Sequence, residues 1–275
     1  MTIDSSASSR LVYGRDDALF GHLEAQQEGL PWGNVLDAGT GLHSLRWLAT
    51  LPTQHVTAVT ADQSMQRNCQ AEVDALVENA AETYTVLIGN WFDEANPLRL
   101  PEESFDVVLC DYLIGAMDGF SPYHQDQMIP KLVKLLKPGT GRLYIIGLQP
   151  IPTNTPSLLS RVVRVRDACI LLAGHLCYRE YPVHWIERHV EKHPDLEQVG
   201  RAVEFPIRYR AATVIKQIQV GRNKLKFFPS DALRSAMAEQ LDELEAEAHR
   251  VAPVTYGLDY VVTAQRRERS EPVEE

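Results

Sequence analysis

Asp37-Ala38-Gly39-Thr40-Gly41 sets a carboxylate two residues ahead of a pair of closely spaced glycines. Val35 and Leu36 precede it as a buried strand would. Leu42, Leu45, Leu48 and Leu51 follow at helical spacing. The pattern predicts a strand, a tight turn and a helix start. Glycine lacks the Cβ that would keep a ligand away from the backbone. In open α/β sheets, ligands bind beyond the carboxyl ends of the strands, at such a turn. The stretch is therefore a candidate seat for a nucleoside-containing cofactor; the plain alternative is a turn that only packs strand on helix.

The surrounding residues narrow the choice. A dinucleotide fingerprint needs a third glycine, and Ser44 stands there. No lysine follows at phosphate-loop spacing. Asp62, with Gln63 behind it, ends the next apolar run at His55–Ala61, where a carboxylate can accept hydrogen bonds from ribose hydroxyls or cap a helix. Gly89-Asn90-Trp91 ends a third run; the Asn90 amide oxygen can accept from an exocyclic amine, and Trp91 can lie along a base or simply fill a core. Phe105-Asp106-Val107-Val108-Leu109-Cys110 is a fourth run, closed by Asp111 and Tyr112. Leu135-Leu136-Lys137-Pro138-Gly139 is a helix stop before a fifth run, Arg142–Gly147.

In order and spacing, these stretches resemble class I S-adenosylmethionine-dependent methyltransferases of the small-molecule type. The resemblance rests on Asp37–Gly41, on Phe105–Asp111 and on the Lys137-Pro138-Gly139 turn, and covers Val35 to Gly147. His43 departs from it, because the family usually has a small residue there. The resemblance implies a Rossmann-like three-layer fold. Its sheet would have seven mostly parallel strands with the last antiparallel, and Leu258–Thr263 is a candidate for that strand. It implies S-adenosylmethionine as cofactor, held by Asp37, Ala38, Gly39, Thr40, Gly41, Asp62, Gln63, Asn90, Trp91 and Asp111. Asp111 is not followed by Pro-Pro-Tyr, so the pattern of nucleic-acid amino methyltransferases is absent.

These residues need elements to position them. Strands alternating with helices up to Gly147 mean crossover units and a parallel sheet. Helices are expected at Ser9–Gly29, Gln63–Ala81, Gln125–Leu136, Leu158–Cys177, Pro182–Lys192 and Ser230–Ala248. Thr213–Val220, rich in Val and Ile, reads as strand-like. We expect one domain over residues 1–275: an N-terminal helix in 1–30, a cofactor-binding core in 31–149, a helical substrate lid with the last strands in 150–265, and a disordered tail in 266–275. The net charge of −10 argues against a nucleic-acid partner. The four scattered cysteines have no zinc spacing and suit a reducing cytoplasm. There is no signal-peptide core and no run near the roughly 20 apolar residues of a membrane span. No metal is expected.

The acceptor side is read from His175–Trp185, which gathers three aromatics, two histidines and the Arg179-Glu180 pair. Tyr178, Tyr181 and Trp185, with Tyr112, could stack on a substrate or surround a cation. His184 is the candidate proton acceptor near neutral pH. Plain anchoring of two helices is an equal alternative for the aromatics. Tyr13-Gly14-Arg15 offers one more cation, read first as a surface arginine. The expected partner is a small-molecule methyl acceptor, with a homodimer open. Competing readings are an NAD(P)-dependent oxidoreductase and a non-catalytic protein of the same fold.

Overall fold

A computed structural model describes residues 17–268, so Tyr13–Arg15 and most of the expected tail lie outside the described residues. The contacts divide the chain into two compact units. Of the described residues, the first comprises those up to 147, 181–205 and those from 260 on; the second comprises 148–180 and 206–259.

The first unit holds strands β1 (Gly33–Asp37), β2 (Thr53–Thr60), β3 (Tyr84–Ile88), β4 (Val107–Asp111) and β5 (Arg142–Leu148). Between them run α1 (Ala18–Gln26) before β1, then α2 (Leu42–Leu48), α3 (Gln63–Leu76), the short α4 (Ala80–Thr83) and α5 (Leu113–Ala116), and α6 (Gln125–Val133). Later elements are α7 (Leu158–Leu172), α8 (Val183–Lys192), β6 (Leu196–Gln198), β7 (Val203–Tyr209), α9 (Ala211–Arg222), α10 (Asp231–Val251) and β8 (Val254–Arg266). The sheet order is β3-β2-β1-β4-β5-β8-β6, with β7 beside β8. Strands β1 to β5 pair in parallel, and β6 pairs with β8 antiparallel. The fold class is as expected, with eight strands among the described residues where seven were anticipated. The additional strand is β7.

Alternate residues of the central strands feed two cores, one on each sheet face. Leu36, Val108, Cys110, Leu143 and Ile145 pack with Met128, Ile129 and Leu132 of α6 and Ile186 and Val190 of α8. Val35, Val107, Leu109, Tyr144 and Ile146 pack with Phe20, Leu23, Leu45, Trp47 and Val73 from α1, α2 and α3. Strands buried on both faces read as unbroken apolar runs, which is why these were legible.

Two of the sequence stretches meet in one ion pair. The Asp106 carboxylate accepts the Asn34 N–H at 2.8 Å and lies 2.7 Å from Lys137 Nζ. It therefore ties the entry of β1 to the turn before β5. Asp106 is 15% and Lys137 37% exposed, so the pair is only partly screened by water.

The second unit is built on α7, α9 and α10, whose core includes Leu159, Val162, Val214, Ile218, Leu241 and Leu244. Ser157 and Ser230 cap α7 and α10. Thr213–Val220 is helical, contrary to its strand-like reading. Val214, Ile218 and Gly221 are its buried positions, at helical spacing; packing on α7 and α10 outweighs the β-branched preference. Gly221 permits that packing, since a Cβ there would lie 3.3 Å from Arg166 Cα. The helix expected to run to Cys177 stops at Leu172, because Gly174 takes a φ of +76°.

Asp106→Ala should lower stability by about 2 kcal/mol, since it strands the Asn34 N–H and Lys137 while exposure discounts the pair. Thermal unfolding checks this, with a fall of several degrees expected.

Candidate functional site

Strand β1 carries Asp37 to complete burial at its carboxyl end. There the turn is pinned on three sides. The Ala38 N–H bonds the Leu109 carbonyl at 2.9 Å, and the Thr40 N–H bonds the Val59 carbonyl at 2.8 Å. From behind, the Trp91 indole N–H donates to the Ala38 carbonyl at 2.7 Å. The Ser44 hydroxyl, one turn into α2, donates to Asp37 Oδ2 at 2.8 Å. Ser44 is thus part of the turn's construction. The sequence showed it only as the residue that breaks a dinucleotide fingerprint.

Two buried oxygens of this turn are left over. Among the described residues, Asp37 Oδ1 and Thr40 Oγ1 have no hydrogen-bond partner. A buried polar group without a partner is costly, and the Thr40 hydroxyl is close enough to act on the Asp37 carboxyl, as the Ser44 hydroxyl and the Gly39 amide do. Burial pushes the Asp37 carboxyl up to about 6, against the opposing pull of nearby hydroxyls and the Gly39 amide.

The two glycines do different work. A Cβ on Gly39 would lie 3.0 Å from Leu113 Cβ, so Gly39 serves packing on α5. A Cβ on Gly41 would meet nothing within 4 Å, so Gly41 faces open space. Of the two glycines expected to let a ligand approach, Gly41 is the one with open space beside it. His43 does not fill the turn either. It points to Asp17, 3.1 Å away at the N-cap of α1, and that hydrogen bond raises its pKa.

The neighbouring strand ends lie along the same edge of the sheet. Asp62 is exposed and caps α3, its Oδ1 accepting the Met65 N–H at 2.7 Å. Gln63 beside it is exposed as well. Asp111 ends β4 half-buried. Tyr112 follows at φ +49°, a left-handed conformation uncommon for a bulky residue, and packs against the core on the α1–α3 side of the sheet.

Two expected site residues are engaged otherwise. The Asn90 amide oxygen already accepts from the Phe92 N–H at 3.1 Å and from the Ser121 hydroxyl, and its NH₂ donates to the Phe120 carbonyl. Its amide braces a loop, so it has no spare lone pair for a base. Trp91 is 8% exposed, with its indole spent on Ala38, and belongs to the core.

The aromatic stretch after β5 is divided between the two units at Glu180 and Tyr181. In the first unit, Tyr181, Trp185 and His189 stack in series, with centroids 4.6 and 3.8 Å apart, and the first two pack against the core. Trp185 is thus partly buried packing. His184 is exposed on α8. In the second unit, Tyr178 and Glu180 line a cavity. Sequence reading passed over Glu180 as half of an ion pair with Arg179. Among the described residues, no cluster of three or more His, Cys, Asp or Glu side chains could hold a metal ion, and no helix is long and apolar enough to cross a membrane.

No protein-family model and no curated protein matches the chain. Solved structures do. The YcgJ protein from Bacillus subtilis is similar with a TM-score of 0.55 at 16% identity, covering 92% of this chain and 99% of that one. A S-adenosylmethionine-dependent methyltransferase from Geobacter sulfurreducens, crystallised with S-adenosylhomocysteine, is similar with a TM-score of 0.52 at 14% identity, covering 91% of each chain. The [4+2]-cyclase SpnF scores 0.52 at 14% identity, covering 92% of this chain and 82% of its own. The chain therefore has the fold of the class I S-adenosylmethionine-dependent methyltransferases, a fold that also carries a cyclase.

The Asp37 pKa has a consequence for stability. The folded state keeps its proton up to about pH 6, whereas an unfolded carboxylate loses it near pH 4. The stabilising contribution is present below about pH 4 and is lost as pH rises through about 6, on the order of 3 kcal/mol in all. Asp37→Asn should remove this slope and unfold at a higher temperature than the parent at pH 7.5. Thermal melts from pH 4 to 8 check it.

Proposed function

We propose that this chain binds S-adenosylmethionine along the carboxyl edge of β1, β2 and β4 and transfers a methyl group to an oxygen, nitrogen or sulfur of a small molecule. The observation that carries the reading is the pair of unanswered buried oxygens, Asp37 Oδ1 and Thr40 Oγ1, beside the open Gly41. That arrangement fits a cofactor bearing hydrogen-bond donors. Asp37, Ala38, Gly39, Thr40 and Gly41 would form its near wall. Asp62 has a second carboxylate oxygen to offer ribose hydroxyls while its first caps α3, with Gln63 alongside. Asp111 would close the other side.

When bound, the sulfonium cofactor supplies a methyl group already activated for in-line displacement. The chain's share is then mostly to position the acceptor and exclude water. A base is needed only for an acceptor that cannot shed its proton unaided. His184 stands as the candidate from the sequence, though its exposure on α8 argues for a lesser role. Tyr112, at the end of β4 beside Asp111, is the favoured acceptor-side residue, and Tyr178 belongs to a cavity of the second unit. Tyr181 and Trp185 are assigned to packing. The four free thiols support a reducing, cytoplasmic setting. A small-molecule partner remains the reading, with no nucleic acid, and a homodimer stays open.

Calorimetry tests the binding. S-adenosylmethionine should bind and NAD should not. Gly41→Val should abolish binding without unfolding the chain, since Gly41 has an extended backbone with φ −130° and ψ 172°. Asp62→Ala should weaken binding by about 1–3 kcal/mol, the usual effect of removing a hydrogen-bond partner. Because the same fold carries a cyclase, release of S-adenosylhomocysteine with candidate acceptors must accompany binding. NAD binding, or unchanged affinity in folded Gly41→Val, would contradict the reading.

A further inference from the structure

The second unit contains a cavity of about 640 Å³ formed wholly by its own residues. Leu148, Ile151, Leu159, Val163, Ile170 and Val220 supply apolar wall. That volume suits a small organic ligand with an apolar body. The charged and polar groups on the wall are Arg166, Asp167, Glu180, Gln217, Lys224 and Thr153, together with the phenols of Tyr178 and Tyr209. Whether a ligand's polar end should be anionic, neutral or cationic follows from which of these is already answered.

Arg166 is answered. Its Nε lies 2.8 Å from Asp167 Oδ1, and its Nη1 donates to Gln217 Oε1 at 2.6 Å. Those two bonds also occupy Asp167 and Gln217. Lys224 is half-exposed, and a lysine ammonium on a flexible stem can stay in water. Glu180 is different. Among the described residues its carboxyl has no hydrogen-bond or ion-pair partner, although Arg166 exerts a favourable charge effect on it. The neighbouring charges oppose one another there, Arg166 favouring the ionised carboxyl more than Asp259 disfavours it. Burial first, and then the charge of Asp259, push Glu180 up to about 7. Burial, Asp259 and Glu180 likewise push the Tyr209 hydroxyl up to about 12. A ligand carboxylate would lie against the Glu180 carboxyl with no partner for either, whereas a ligand cation would pair with it, with the faces of Tyr178 and Tyr209 as further attraction.

We propose that this cavity is a binding site for an apolar amine, its ammonium group paired with the Glu180 carboxylate and its hydrocarbon or aromatic body on the Leu159–Val163–Ile170 wall. An ammonium–carboxylate hydrogen bond is among the stronger kinds, and here it would answer a cavity-lining carboxyl that has no partner among the described residues. The site lies in the second unit, so it stands whether or not the first unit binds S-adenosylmethionine.

The test uses the full chain without cofactor and three probes of one shape: 4-phenylbutylamine, 4-phenylbutanol and 4-phenylbutyrate. Binding is followed by calorimetry and by ligand-observed NMR. The amine should bind at least tenfold more tightly than the alcohol, and the carboxylate should bind weakest. Glu180→Gln keeps the side-chain shape and removes the charge. It should weaken the amine at least tenfold while leaving the alcohol within twofold and the melting temperature at or above the parent's. No binding of the amine, equal binding of the carboxylate, or an amine affinity untouched by Glu180→Gln would each overturn the proposal. The probe series in the parent protein decides the matter even if the variant folds poorly.

Discussion

A carboxyl group taken fully out of water at the end of the central strand is the constraint on which the first unit depends. Burying Asp37 is unfavourable by itself, and the surroundings answer one of its oxygens and leave the other. Ser44 joins the carboxyl to α2, Trp91 holds the turn from behind, and strands on both sides bond the turn's amides. The result is a loop held by bonds on several sides around a buried carboxyl, and unsatisfied or strained groups of this kind are common at functional sites.

Much of this was legible because parallel strands buried on both faces must be continuous apolar runs. Val35-Leu36, Val107–Cys110 and Leu143–Ile146 announce themselves, and the glycine turn follows from its spacing. The link between Asp106 and Lys137 was visible only as two separate motifs; the structure joins them into one ion pair. What sequence could not assign was direction. Gly39 and Gly41 look alike in a string, yet one packs against Leu113 and the other faces open space. Asn90 has the right chemistry for a base, but the loop through Phe120 and Ser121 uses its amide.

The region after Gly147 was harder to read, for physical reasons. Its helices are held by packing on one another, so a β-branched run such as Thr213–Val220 can be helical when Val214, Ile218 and Gly221 meet a neighbour. The aromatic stretch from His175 to Trp185 looked like one cluster and is divided between two units. Tyr181 and Trp185 pack against a core, while Tyr178 and Glu180 line a cavity. Charge bookkeeping inside that cavity, which no linear pattern displays, is what singles out Glu180.

The central claim is that the β1 turn is built around a bound S-adenosylmethionine. Hydrogen–deuterium exchange with and without the cofactor measures this directly. The account predicts slowed exchange at the amides of Ala38–Leu45 and at the start of α3 near Met65, with little change in α10. Exchange unaltered in the β1 turn, or protection confined to other parts of the chain, would contradict it.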